Sequence, residues 1–157
     1  MTARNKFEND LKYGNEGEQK FAEYIKNKYE YMNAELNIID KKEILTDAEL
    51  ELLRGWDVKV TNNKTNITKY FEIKRDQKSK YTGNIAIEYR CVRHSKSDYF
   101  VYILDAECEE MYMISINNIK YLLSENVEGF NCMGGDGKRS YMKVIKKDEL
   151  IKKSKKL

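Results

Sequence analysis

The sequence predicts an α/β (α+β) fold: one domain with a mixed central sheet of about four to five strands, flanked by helices. Three observations point there. Glu18, Phe21, Ala22, Ile25 and Tyr29 repeat along one helical face. Between residues 56 and 104 the apolar period drops to two, the alternation of strands. Helical spacing returns at residues 116–123. A chain of 157 residues that is 41% hydrophobic can bury one core and is too short for two ordinary domains.

The elements follow in order. Residues 15–31 read as a helix with Asn15 as N-cap and Glu18 at the third helical position, close to a capping box. Residues 45–53 predict a short second helix, capped by Thr46 and ended at Gly55. Residues 56–60 and 68–74 predict two strands joined through the polar turn Asn62-Asn63-Lys64-Thr65-Asn66, an antiparallel hairpin. Residues 84–91 predict a third strand, with Ile85, Ile87 and Tyr89 on one face and Asn84, Ala86, Glu88 and Arg90 on the other. Residues 99–104 are more apolar and predict a central fourth strand; residues 111–114 predict a short fifth. A helix at 116–123, a Gly-rich loop at 131–140, a strand at 141–145 and a terminal helix capped by Asp148 complete the pattern. The lysine-rich residues 152–157 are expected to fray.

Composition excludes several classes. Charged residues make up 35%, and no apolar run approaches the roughly 20 residues of a membrane span. The N-terminus lacks the apolar stretch of a secretory signal, which predicts a cytoplasmic protein. Abundant Lys, Asn, Ile and Tyr fit an A·T-rich genome such as a phage's, and then the compartment is the host cytoplasm. Cys91, Cys108 and Cys132 form no CxxC pair, so neither a zinc ribbon nor a disulfide framework is supported. His94 is the only histidine, which rules out a site built on two imidazoles. A metal site here needs carboxylates and carbonyls, hard oxygen donors that suit Mg2+ or Mn2+.

Charge is segregated. Residues 1–57 carry 9 basic and 13 acidic side chains, and residues 58–96 carry 10 and 3. Residues 97–137 carry 1 and 8, and residues 138–157 carry 9 and 2. The two basic blocks suit a polyanionic partner, DNA above all; the plainer alternative is ordinary solvated surface.

The chemistry concentrates in Gly55-Trp56-Asp57 and Phe71-Glu72-Ile73-Lys74. Alternation along a strand puts Glu72 and Lys74 on one face and Phe71 and Ile73 on the other. Asp57, on the partner strand, can face the same way as Glu72. Two carboxylates beside an ammonium suit phosphodiester hydrolysis: the carboxylates hold a divalent ion, and the lysine orients water or stabilises growing negative charge. Glu18 lies on the apolar face of the first helix, where an unpaired carboxylate is costly. It either points into a polar site or is the capping glutamate. Glu88 either joins the face of Glu72 or is an exposed strand carboxylate paired with a lysine.

These residues resemble the PD-(D/E)xK nuclease superfamily, over roughly residues 14–104. Gly14-Asn15-Glu16-Gly17-Glu18 is similar to the start of the family's first helix, Asp57 to its aspartate, and Glu72-Ile73-Lys74 to its E-x-K half. Asp76 extends this to E-x-K-x-D, and Ser97-Asp98-Tyr99 with the strand after it resembles a fourth core strand. Trp56 stands where the family's motif has proline. The resemblance implies a restriction-endonuclease-like core, with residues 105–150 as an elaboration and 151–157 as a basic tail. It implies Glu18, Asp57, Glu72 and Lys74 as the catalytic set. Mg2+ or Mn2+ would be held by Asp57, Glu72, the Ile73 carbonyl and Glu18 through water, with Glu88 and Asp76 as accessory carboxylates.

Lys59, Lys69, Arg75, Lys78, Lys80, Arg90, Arg93 and Lys96 surround these positions in sequence and suit sequence-independent phosphate contacts. Tyr81 and Tyr89 could stack on bases, although packing is the default role of a tyrosine. Gly134-Gly135-Asp136-Gly137-Lys138 lacks the spacing of a phosphate-binding P-loop. The reading is a metal-dependent deoxyribonuclease, structure-directed or weakly sequence-specific. The alternatives are a non-catalytic DNA-binding module and a regulatory protein that binds another protein through residues 97–137. Cutting a junction or both strands would require two active sites, hence a homodimer.

Overall fold

Thr2 opens the first helix, its hydroxyl accepting the Asn5 N–H at 3.2 Å in the computed structural model, which describes residues 2–37, 46–134 and 140–157. This helix, α1 (Ala3–Lys28), starts well before Asn15, so neither the expected cap at Asn15 nor a capping role for Glu18 holds. Gly14 and Gly17 each disfavour a helix by about 1 kcal/mol relative to alanine. Tertiary contact carries α1 across them. A Cβ at Gly17 would lie 2.7 Å from Arg75 Cδ, so only glycine lets the helix pass this close. The predicted face is buried: Phe21, Ala22 and Ile25 lie inside, and the Phe21 and Phe71 ring centroids are 5.0 Å apart.

The main sheet has six strands in the order β1-β2-β3-β5-β6-β9. They are β1 (Met32–Leu36), β2 (Val58–Asn62), β3 (Ile67–Arg75), β5 (Tyr99–Ile103), β6 (Met111–Ser115) and β9 (Lys155–Lys156). β3 and β5 pair in parallel, Phe71 with Tyr99; the other neighbours are antiparallel. The predicted hairpin is β2–β3, with Asn62 Oδ1 accepting the Lys64 and Thr65 N–H groups in its turn. The short second helix is α2 (Asp47–Leu53), with Thr46 and Glu49 forming a full capping box.

The six strands of the main sheet correct the four-to-five-strand reading, and a second sheet of three strands, in the order β4-β8-β7, stands beside it unforeseen. It joins β4 (Asn84–Glu88) to β8 (Ser140–Lys146) and β7 (Phe130–Gly134). The predicted third strand therefore stops at Glu88 and leaves the main sheet. Tyr89–His94 turn into α4, which buries Val92 against the same core as Ile85 and Ile87. Residues 131–134 of the expected Gly-rich loop belong to β7 and Ser140 opens β8; residues 135–139, with Gly135, Asp136, Gly137 and Lys138, lie outside the described residues. The remaining helices are a short turn, α3 (Ser79–Thr82), then α5 (Ile116–Leu122) and α6 (Lys147–Lys152) in chain order. Asp148 sits in the first turn of α6, suited to the helix dipole, while Lys146 holds the cap position.

The tail does not fray. β9 pairs with β6, and the Leu157 N–H donates to the Met111 carbonyl at 3.0 Å. Lys143, from the second basic block, is buried, and its ammonium donates to the carbonyls of Leu122 (3.0 Å), Ser124 (2.8 Å) and Val127 (2.6 Å). One core packs α1 against β1, β2 and β3; the other packs β5 and β6 against the second sheet and α4, α5 and α6. Among the described residues no helix is long and apolar enough to cross a membrane.

Candidate active site

The site begins with the alternation of β3. Phe71 and Ile73 enter the core beneath α1, which leaves Glu72 and Lys74 facing away from that helix. The β2–β3 register pairs Val58 with Phe71, so the next step of the ladder sets Asp57 opposite Glu72. The Asp57 N–H donates to the Phe71 carbonyl at 2.8 Å, and Asp57 Oδ2 accepts the Ile73 N–H at 2.7 Å.

The segment carrying Asp57 is clamped on both sides. Gly55 has φ +80, and a Cβ there would lie 2.9 Å from Lys96 N and 3.0 Å from the His94 carbonyl oxygen. Its carbonyl accepts from Lys96 N (2.8 Å), Ser97 Oγ (3.1 Å) and Ser95 Oγ (3.3 Å). On the other side Asn37 Nδ2 donates to the Leu53 and Trp56 carbonyls, and Asn37 N donates to the Asp57 carbonyl at 2.8 Å. Trp56 is buried and packs its ring on Tyr70.

Lys74 Nζ lies 3.1 Å from Glu72 Oε1, and the Cys91 thiol donates to the same oxygen at 3.4 Å. Burial, then the charges of Glu72 and Glu18, push the Asp57 carboxyl up to about 7, against the pull of the Ile73 N–H and Lys74. Burial works against the Lys74 ammonium, yet Glu72 holds it above its ordinary value, so it stays charged. Burial pushes the Cys91 thiol up to about 12, so it stays a donor.

These groups line a cavity of about 790 Å³ whose wall also includes Glu88, Arg54, Arg90, His94 and Lys96. Glu88 reaches it from the second sheet, with one carboxylate oxygen accepting the Ser140 hydroxyl at 3.1 Å. Carboxylates and cations thus share one recess. The sequence reading overlooked Arg54 and Cys91. Arg54 directly precedes Gly55-Trp56-Asp57, a signal present in the sequence; Cys91 enters only because the chain turns helical after Glu88.

Glu18 lies on α1 and lines a neighbouring cavity of about 800 Å³ with Asn37, which both cavities share. It is near enough to raise Asp57 but does not line the recess of Asp57 and Glu72. Asp76 lies past the end of β3, where its Oδ1 accepts the Ser79 N–H at 3.1 Å and its carbonyl the Ser79 hydroxyl at 2.8 Å. It stabilises a turn beside a third cavity, on the far side of Lys74.

The expected phosphate contacts separate in the same way. Arg90 and Lys96 line the site cavity, and Arg93, Lys78 and Lys80 are exposed nearby in the chain. Lys59 pairs with Glu35 at 3.1 Å. Arg75 is corrected outright: alternation places it on the α1 side, 4% exposed in its side chain. Its guanidinium donates to the Tyr13 carbonyl at 2.8 Å, lies 3.7 Å over the Tyr13 ring and meets Glu16 at 3.5 Å.

Among the described residues no three His, Cys, Asp or Glu side chains are grouped as a metal site. The donor set that fits a hard divalent ion is the Asp57–Glu72 pair, whose mutual repulsion a dication would relieve. No protein-family model, curated protein or solved structure matches the chain, so its function rests on these side chains and their geometry.

Proposed function

We propose that this protein is a metal-dependent deoxyribonuclease of the PD-(D/E)xK superfamily, structure-directed or weakly sequence-specific. One observation carries the reading: Asp57 opposite Glu72, with Lys74 3.1 Å from Glu72, in a recess rimmed by Arg54, Arg90 and Lys96. The mixed sheet, with its parallel β3–β5 pair and α1 on one face, supports a restriction-endonuclease-like core. Asp57 and Glu72, with the Ile73 carbonyl, would hold Mg2+ or Mn2+, with Glu18 reaching it through water. The bound ion supplies charge neutralisation and a more acidic water.

The chain's own residues do the rest. Lys74, held charged by Glu72, stabilises the negative charge that grows on the phosphate oxygens in the transition state. Arg54, Arg90 and Lys96 position the flanking phosphates without reading bases. Glu88, fixed by Ser140, orients groups at the opposite wall.

The test is cleavage of linear duplex, supercoiled plasmid, single strand, a flap and a four-way junction, with and without Mg2+ or Mn2+. Glu72→Gln and Lys74→Ala, confirmed as folded, should each lose at least about 100-fold in cutting rate. Tight, salt-sensitive binding with no cutting would instead make the protein a DNA-binding module. Neither binding nor cutting would remove DNA as the partner.

A further inference from the structure

The site cavity has an aromatic flank that the hydrolytic chemistry leaves unused. Tyr89 opens α4 between Glu88 and Arg90, both of which line the cavity. Its ring stacks on Tyr141 of β8, with centroids 5.2 Å apart and planes 19° from parallel. Its hydroxyl donates to Asn131 Oδ1 on β7 at 2.7 Å, which fixes the ring. Tyr141 is nevertheless 52% exposed, and its cross-strand partner Met133 is 50% exposed. The result is a preorganised apolar step, open to solvent, one residue from the cavity wall.

Cations follow Tyr89 along the chain toward the cavity. Arg90 lies in the cavity wall next in sequence to Tyr89, Arg93 is exposed one helical turn on, and Lys96 follows on the same rim. An aromatic face beside cations matches a polymer that alternates flat bases with phosphates. A duplex hides its base faces in its own stack, so only an unpaired base can lie on Tyr141. We infer that the Tyr89–Tyr141 pair is a docking platform for an unpaired base of single-stranded DNA whose adjoining phosphodiester enters the cavity. The substrate is then a single strand or a single-stranded flap or end. This inference rests on the nuclease reading of the cavity and narrows its substrate class.

Binding to fluorescein-labelled DNA by anisotropy in EDTA tests it, because nothing is cut under those conditions. The probes are a single strand, the corresponding duplex, and a single strand of equal length built of abasic sites, which keeps the phosphates and removes the bases. The base-bearing strand should bind about tenfold tighter than the abasic one. Tyr141→Leu should erase that difference, and Tyr141→Phe, which keeps the ring, should preserve it. Equal affinity for the abasic strand, or a folded Tyr141→Leu protein that keeps the wild-type preference, would overturn the platform. Metal-dependent cutting is read separately on the wild type. Cutting without a Tyr141-dependent preference leaves the nuclease and removes the platform; the preference without cutting does the reverse.

Discussion

Asp57 and Glu72 are set against each other by the register of one hairpin. Burial in the recess, and then the charge of the neighbouring Glu72 carboxylate, oppose the ionisation of Asp57, whose carboxyl is raised to about 7. The unfolded value is about 3.9, so between these two pH values the folded chain binds more protons at Asp57 than the unfolded chain does. Stability should therefore fall as pH rises through that window, with the full loss above about 7. Asp57→Asn keeps an oxygen for the Ile73 N–H and removes the repelled charge. Without metal it should be more stable than wild type at pH 8, by on the order of 1 kcal/mol, with the gap closing toward pH 4. Urea unfolding at both pH values checks this, and a gap that does not change with pH would remove the ionisation of Asp57 as its cause. At this scale Asp57, Glu72 and Lys74 were legible because strand alternation follows from sequence alone. Arg75 was misread for the same reason in reverse: one position further along the strand, the alternation turns it under α1.

At the scale of elements, α1 and β3 depend on one another. The Arg75 guanidinium is gripped by Tyr13 and Glu16, and Gly17 makes room for its stem. Arg75→Ala should destabilise the fold by about 2–4 kcal/mol, since it removes a buried side chain and leaves a cavity under the helix. DNA affinity of the folded variant at low salt should stay within about twofold of wild type. A variant with wild-type stability but weakened DNA binding would return Arg75 to the phosphate contacts. The helix face at Phe21, Ala22 and Ile25, the β2–β3 hairpin and the apolar β5 were readable from period. β1 was not, because it buries only Ala34 fully and is held by backbone pairing with β2. The break after Glu88 was also hidden: 84–91 alternates as a strand should, and only packing of Val92 on the second core turns it into α4.

For the molecule as a whole, the basic blocks divide between surface and scaffold. Lys143 is spent inside, where three carbonyls tie β8 to the end of α5 and the loop after it. Lys155 and Lys156 form β9, and Leu157 covers the core beside Met113. Deleting residues 154–157 should therefore lower Tm by several degrees, since it uncovers that edge. An unchanged Tm on calorimetry would restore the frayed tail that composition suggested. The second sheet was not legible because its strands are drawn from distant parts of the chain, and local periodicity carries no information about which sheet a strand joins.

That long-range pairing also sets an order of events during synthesis. β4 pairs with β8 and with no other described strand, so Ile85 and Ile87 must wait for Ile145 and Lys143. The ribosome has released the Asp57, Glu72 and Lys74 segments long before residue 140 emerges. A nascent or prematurely ended chain therefore holds its acidic and basic groups without the wall that Glu88 and Ser140 close. The recess is completed only after β8 has emerged, well behind the segments that carry Asp57, Glu72 and Lys74.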